Sequence, residues 1–163
     1  MGEFVFLGID PAATKVSYAA LFQDEEPFFR EFKKLGRSGP TACSAAWHIT
    51  AEVVGELGQR WPNVPVTAFI ESPIVGRGGV RSTMVQCYTS GAIQASLFDQ
   101  KVSVALANVS SWKKVVVGHG RATKDGVSEF VRLRWPALYA EASGSQDVAD
   151  AVCIAHYGQL TRQ

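Results

Sequence analysis

Apolar positions run almost without a break from Phe4 to Ile9 and stop at Asp10-Pro11. Such a run, ended by a turn signal, is the pattern of a strand buried on both faces. Pro11 to Lys15 turns the chain, Val16 to Phe22 makes a second strand, and the acidic turn Asp24-Glu25-Glu26-Pro27 leads to a half-exposed third over Phe28 to Lys34. Two short turns among three successive strands predict an antiparallel meander. Beyond Gly36 to Gly39, Pro40 suits the first turn of a helix. Ala46, Ile49, Val53, Leu57 and Trp61 then recur at three- and four-residue intervals up to Pro62. Val66 to Glu71 is a fourth strand, Ser72 to Gly79 a loop, and Met84, Tyr88, Ala92 and Ala95 mark a second helix. A fifth strand spans Lys101 to Ala107. Ser110 or Ser111 is the expected cap of a short helix ending near Gly118. Val127, Phe130 and Val131 mark another helix, and Ser145 caps the last. The order predicts an α/β fold with a five-stranded mixed sheet, its first three strands antiparallel, flanked by helices within one domain, 1–163.

Four acids interrupt this pattern. Asp10 and Glu71 each end an apolar strand, and Asp147 and Asp150 stand three apart, hence on one face of the last helix. Taken singly, each has a structural reading: a turn former before proline, a strand-exit charge, an acid at the positive end of a helix. Taken together, they can converge where the last helix packs on the sheet. Two like charges about 4 Å apart repel by about 4 kcal/mol at an effective dielectric near 20. A hard divalent cation relieves that repulsion, and Mg²⁺ takes a few carboxylates together with water and phosphate oxygens. Two such ions, roughly 3.5–4 Å apart, suit an in-line phosphoryl displacement.

Charge sharpens the chemistry. The 163 residues carry a net charge of only +1. From Ser72 to Trp135, however, there are nine Lys and Arg against three acids, while the remainder has seven against twelve. A basic segment beside an acidic centre fits a polyanionic partner. With 47% apolar and 19% charged residues, the composition is globular. The chain has no apolar run of 18 residues and no basic-then-apolar leader, so neither a membrane span nor a secretory signal is expected. Cys43, Cys87 and Cys153 are scattered, without a C-x-x-C, so neither a zinc site nor a disulfide framework is expected; the three read as small buried hydrophobes of a reducing cytoplasm.

Gly8-Ile9-Asp10-Pro11 followed by Val16-Ser17-Tyr18-Ala19 resembles the first motif of the RuvC-type Holliday junction resolvases of the RNase H-like superfamily. Ala68-Phe69-Ile70-Glu71 is similar to their second acidic strand, and Lys113 to Gly118 with Ala122-Thr123-Lys124 to their basic DNA-contacting stretch. Asp147-Val148-Ala149-Asp150-Ala151-Val152-Cys153-Ile154-Ala155 resembles their closing helix. The resemblance implies an RNase H-like nuclease fold in which Asp10, Glu71, Asp147 and Asp150 hold two Mg²⁺ (or Mn²⁺) ions. It implies phosphate contacts from Lys124 and from Lys113 or Lys114, with Arg77, Arg81 and Arg121 as further DNA-binding candidates. It also implies a homodimer that places one site on each of two opposed strands of a four-way junction, in a bacterial or phage-infected cell. The Met84 to Phe98 helix is a candidate dimer face, although core packing explains its apolar stripe equally well. Where the family commonly carries an aromatic wedge three residues after the second acid, this chain has Ile74, beside an idiosyncratic Gly76-Arg77-Gly78-Gly79. The expected activity is therefore hydrolysis of Holliday junctions and of other branched DNA.

Two other readings meet the same residues. Gly8-Ile9-Asp10 also occurs in actin-like ATPases, but that fold needs two such lobes and far more than 163 residues. A non-catalytic branched-DNA-binding module would gain nothing from four carboxylates facing phosphate. Gly118-His119-Gly120 lacks the rest of a nucleotide fingerprint and reads as loop, with His119 at the surface. His156 reads as structural. Trp112 reads as core or interface, ahead of base stacking.

Overall fold

A computed structural model describes residues 3–36, 39–74 and 79–162. Five strands, β1 (Val5–Pro11), β2 (Val16–Leu21), β3 (Phe28–Phe32), β4 (Val66–Glu71) and β5 (Ser103–Ala107), form one sheet in the order β3-β2-β1-β4-β5. β1 pairs antiparallel with β2, and β2 with β3, while β4 and β5 run parallel to β1. The meander and the mixed sheet expected from the sequence are both present.

Alternation along β1 sorts its side chains between two cores. Val5, Leu7 and Ile9 face helices α1 (Gly39–Arg60) and α2 (Gly79–Asp99), together with Tyr18, Ala68 and Ile70. The opposite face, with Ala19, Leu21 and Phe69, is covered by α3 (Val109–Val117), α4 (Lys124–Arg134), α5 (Pro136–Glu141) and α6 (Gln146–Thr161). Because side chains alternate, Gly8 and Asp10 share the α6 face of β1, and Phe69 and Glu71 share the same face of β4.

α6 is the most enclosed helix, with Val148, Ala149 and every residue from Ala151 to Ala155 buried. Its approach to the sheet depends on small residues. A Cβ on Gly8 would run into the backbone of Ala151 and Ala155, and one on Gly158 into the ring of Phe69. Asp147, Ala151 and Ala155 lie four apart on one stripe, so the contact that seats the helix on β1 also turns Asp147 toward the sheet.

Several boundaries differ from the sequence expectation. β3 ends at Phe32 rather than Lys34, and β5 starts at Ser103, after a turn in which Lys101 takes a φ of 60°. The cap of α3 is Asn108, whose side chain accepts from the Ser110 N–H, instead of Ser110 or Ser111. Asn competes well for this position because its amide oxygen reaches a free N–H of the first turn. Gly118 closes α3 with a φ of 89°, and Ser145 caps α6, both as expected. The short α5, with Pro136 in its first turn, was not foreseen. Cysteine burial also needs correction: Cys153 is buried, Cys43 only partly, and Cys87 is exposed on α2. No helix among the described residues is long and apolar enough to cross a membrane.

Gly8→Ala should lower unfolding stability by about 3 kcal/mol, because neither colliding backbone can yield without moving α6. Gly55→Ala, on the exposed side of α1 with nothing within 4 Å of the added carbon, should instead raise it by up to ~1 kcal/mol. Urea denaturation of both variants checks the contrast; equal effects would sink it.

Candidate active site

The parallel register of β1 and β4 sets Ile9 beside Ile70, and the next positions along are Asp10 and Glu71. Both belong to the face covered by α6, at the carboxyl ends of neighbouring parallel strands, where open α/β sheets form their crevices. α6 brings Asp147 and Asp150 over that edge. All three act electrostatically on Asp10, so the structure gathers the four acids singled out from the sequence.

Each acid has a different holder. Glu71 accepts a hydrogen bond from Trp112 Nε1 at 3.0 Å, and the indole is fully buried. Asp150 accepts from Gln146 Nε2 at 2.8 Å, one helical turn earlier, while Ser128 Oγ donates to the Gln146 oxygen at 2.9 Å. Asp147 pairs with the ammonium of Lys15, which stands in the turn between β1 and β2. Asp10 and Glu71 act on one another directly through their carboxyls.

Burial, followed by the negative charges of Glu71, Asp150 and Asp147, pushes the Asp10 carboxyl well above its ordinary value of 3.8. Burial also raises Glu71, against the lowering effect of its Trp112 hydrogen bond, and raises Asp150, against that of Gln146. Three buried carboxyls thus resist ionisation side by side, and the lysine charges around them offset this only in part. The donors are hard oxygens, the kind a divalent cation of the Mg²⁺ class prefers. Among the described residues, no three acidic, Cys or His side chains are drawn into a ready-made metal cage. Lys15 and Gln146 turn Asp147 and Asp150 to their own atoms.

The basic residues fall into separate groups. Lys113 lies 5.4 Å above the Trp112 ring and donates to the Ala122 carbonyl at 3.1 Å, and its charge acts on both Glu71 and Asp150. Lys124, at the start of α4, also acts on Asp150. Lys114 and Arg121 instead line a separate cavity of about 480 Å³ with Ser110, Ser111, His119 and Gly120. There His119 Nδ1 accepts the Arg121 backbone N–H at 3.0 Å, which fixes the loop. Arg81 is exposed near the start of α2, and Ile74 is 47% exposed just beyond β4. Arg77 lies outside the described residues.

Trp112 is core, as expected, but it also holds Glu71, which sequence reading missed. Lys15 and Gln146 were missed too. Gln146 had a usable signal, its i,i+4 spacing to Asp150. His156 packs edge-on to Trp135 at 5.4 Å and stacks with Phe130 at 6.4 Å, which fits a structural role.

The five-stranded mixed sheet with helices on both faces is an RNase H-like fold. The family model described as crossover junction endodeoxyribonuclease RuvC matches residues 6–157, and the chain belongs to that family. The crossover junction endodeoxyribonuclease RuvC of Polynucleobacter asymbioticus is 32% identical over 158 residues, covering 96% of this chain and 91% of that one. Its counterpart from Rickettsia massiliae is 26% identical over 162 residues, with 97% and 98% covered. Among solved structures, Thermus thermophilus RuvC in complex with a Holliday junction substrate matches with a TM-score of 0.74 at 20% identity, over 95% of this chain and 92% of that one. The yeast mitochondrial Holliday junction resolvase matches with a TM-score of 0.59 at 15% identity, over 96% and 77%. Divalent-metal-dependent catalysis goes with the family.

The raised carboxyls have a consequence for folding. Each binds its proton more tightly in the folded chain, so its contribution favours folding in acid and is lost as pH rises from the ordinary 3.8 (Asp) or 4.5 (Glu) through the raised value. In chelator, Asp10→Asn should therefore be more stable than the parent at pH 8, by ~2 kcal/mol, with the gain shrinking toward pH 4. Thermal unfolding of both proteins across that range measures it. A gain that is independent of pH would refute the electrostatic origin.

Proposed function

We propose that this chain is a structure-selective endonuclease that resolves four-way DNA junctions by direct hydrolysis, in the cytoplasm of a bacterial or phage-infected cell. The supporting observation is the placement of Asp10 and Glu71 side by side on one face of the sheet, with Asp147 and Asp150 of α6 over them. These four side chains would hold two Mg²⁺ ions, with Mn²⁺ as a substitute. When bound, the ions would supply Lewis-acid activation of water and stabilisation of the leaving oxygen.

The protein's own residues orient the reaction. Trp112 fixes one Glu71 oxygen from within the core, and Gln146, itself held by Ser128, fixes Asp150. Lys113 and Lys124, whose charges reach the acidic centre, engage the non-bridging oxygens of the scissile phosphate. Water adds to phosphorus, the P–O3′ bond breaks, and the strand ends are a 5′-phosphate and a 3′-hydroxyl; no covalent enzyme intermediate is required. Lys114, Arg121, Arg81 and Arg77 serve DNA farther from the break. Ile74, exposed just beyond Glu71, occupies the position from which a side chain enters the junction centre. Its aliphatic group stacks on bases less well than an aromatic, which favours a broader set of branched substrates.

Two sites are needed to cut two opposed strands, and α2 offers a surface for pairing. Val80, Met84 and Tyr88 repeat every four residues and are 78%, 48% and 53% exposed. We assign this stripe to a homodimer face. Sedimentation should show a dimer for the parent and a monomer for a Met84→Glu, Tyr88→Glu double variant; an unchanged dimer would place the interface elsewhere.

The activity itself is tested with a synthetic four-way junction and a matched linear duplex in Mg²⁺. Paired nicks near the branch point of the junction alone are expected, and Asp10→Asn should slow them by about a thousandfold while junction binding persists. Binding lost in step with cleavage would argue against the assignment. In the same binding assay, Lys124→Ala should weaken the complex and reduce the slope of log K against log salt by about 0.9, the share of one phosphate contact.

A further inference from the structure

Among the described residues, one ion pair is made by the acidic centre, that between Lys15 and Asp147. The other acids are held by neutral donors, Trp112 and Gln146, which orient a carboxylate without cancelling its charge. Lys15 is the exception, and its position allows movement. Its side chain is 46% exposed, on a turn of few residues, so only the ammonium is anchored. Lys15 and Ser17 lie two apart, which turns both toward the α6 face, and Ser17 pairs across the sheet with Glu31 of β3. The ammonium's affinity for its proton is raised first by Asp147, then also by Asp10 and Glu31.

Glu31 is suited to be a second seat for this charge. Its Oε1 accepts from Ser145 Oγ at 2.7 Å, which fixes the carboxylate, while among the described residues Oε2 pairs with the exposed Lys33 ammonium at 3.7 Å. Ser145 is also the cap of α6, two residues before Asp147. Ser145 thus fixes the Glu31 carboxylate and caps the helix turn that carries Asp147.

We propose that Lys15 is a tethered counter-ion, which holds Asp147 while the centre has no divalent ion and passes to Glu31 when one binds. The inference rests on the reading of the four acids as metal ligands. The ammonium on Asp147 Oδ2 competes with a cation for that carboxylate, and two positive charges at contact repel strongly where water is partly excluded. Entry of the ion therefore favours departure of the ammonium. Lys15 makes the metal-free centre tolerable, weakens metal binding, and keeps a second carboxylate ready for its own charge.

The test is titration of metal-free protein with Mn²⁺, without DNA, following free Mn²⁺ by electron paramagnetic resonance. Lys15→Met should tighten Mn²⁺ binding by about tenfold, and Lys15→Gln, which keeps a donor but no charge, should do the same. Glu31→Gln retains the acceptor for Ser145 but removes the second seat; it should weaken binding by about threefold in the parent and have no effect in the Lys15→Met background. Saturable binding with the same Kd in the parent and both Lys15 variants would overturn the counter-ion role. A Glu31→Gln effect that persists in the Lys15→Met background would overturn the transfer. Absence of saturable Mn²⁺ binding from every protein would instead overturn the reading of the four acids as metal ligands, a distinct failure. Circular dichroism of each variant confirms that its fold is intact.

Discussion

The closeness of α6 to β1 is the constraint on which the rest of the structure depends. A helix packed on a sheet with ordinary side chains stands off by their full length, and acids at its N-terminus would then miss a carboxylate at the end of the central strand. Gly8 removes that spacing on one side, and Ala151 and Ala155 remove it on the other. Gly158 lets the ring of Phe69 close the far end of the same contact. The helix is consequently buried along most of its length, so its position is set by close packing rather than by the acids it carries. Packing of this kind does the work against repulsion. It holds buried together carboxyls that burial first, and their mutual repulsion second, push toward the neutral form.

The sequence was most informative where structure follows a short period. The apolar runs Phe4 to Ile9 and Val66 to Ile70 mark two strands that each end in an acid, so the convergence of Asp10 and Glu71 could be argued before any coordinates. The three-residue spacing of Asp147 and Asp150 works in the same way on a helix. What sequence could not supply are contacts between distant elements. Nothing within a few positions of Trp112 indicates that its indole N–H meets Glu71, forty-one residues earlier, or that Lys15 reaches Asp147 across 132. The misplaced cap of α3 has a different cause. Asn108, Ser110 and Ser111 are all competent caps, and only the backbone at Asn108, with φ −72° and ψ 136°, selects among them.

The basic segment that stood out as a block of charge divides in space according to helix periodicity. Lys113 and Lys114 are neighbours in sequence but point about 100° apart on α3, so one faces the acidic centre and the other the cavity beside His119 and Arg121. A run of two lysines therefore serves two places on a polyanion. Counting charges along the chain cannot show this, because net charge is indifferent to direction.

The choice of neutral donors around the acids follows from what the centre has to do. A carboxylate must be held in one orientation if a cation is to find its oxygens in register, and the strongest way to hold it would be an arginine. An arginine's positive charge, however, is permanent and close, and it would remove the negative potential that attracts the cation. The Trp112 N–H and the Gln146 amide give direction without that loss, and because Trp112 is fully buried its geometry costs little entropy to maintain. A cation paired directly with one of the acids is best carried on a long, half-exposed side chain that can withdraw, and Lys15 meets those terms. Fixed neutral donors in the interior and a paired ammonium at the rim are thus two parts of a single electrostatic solution: the acids stay oriented, and the charge paired with Asp147 is free to withdraw.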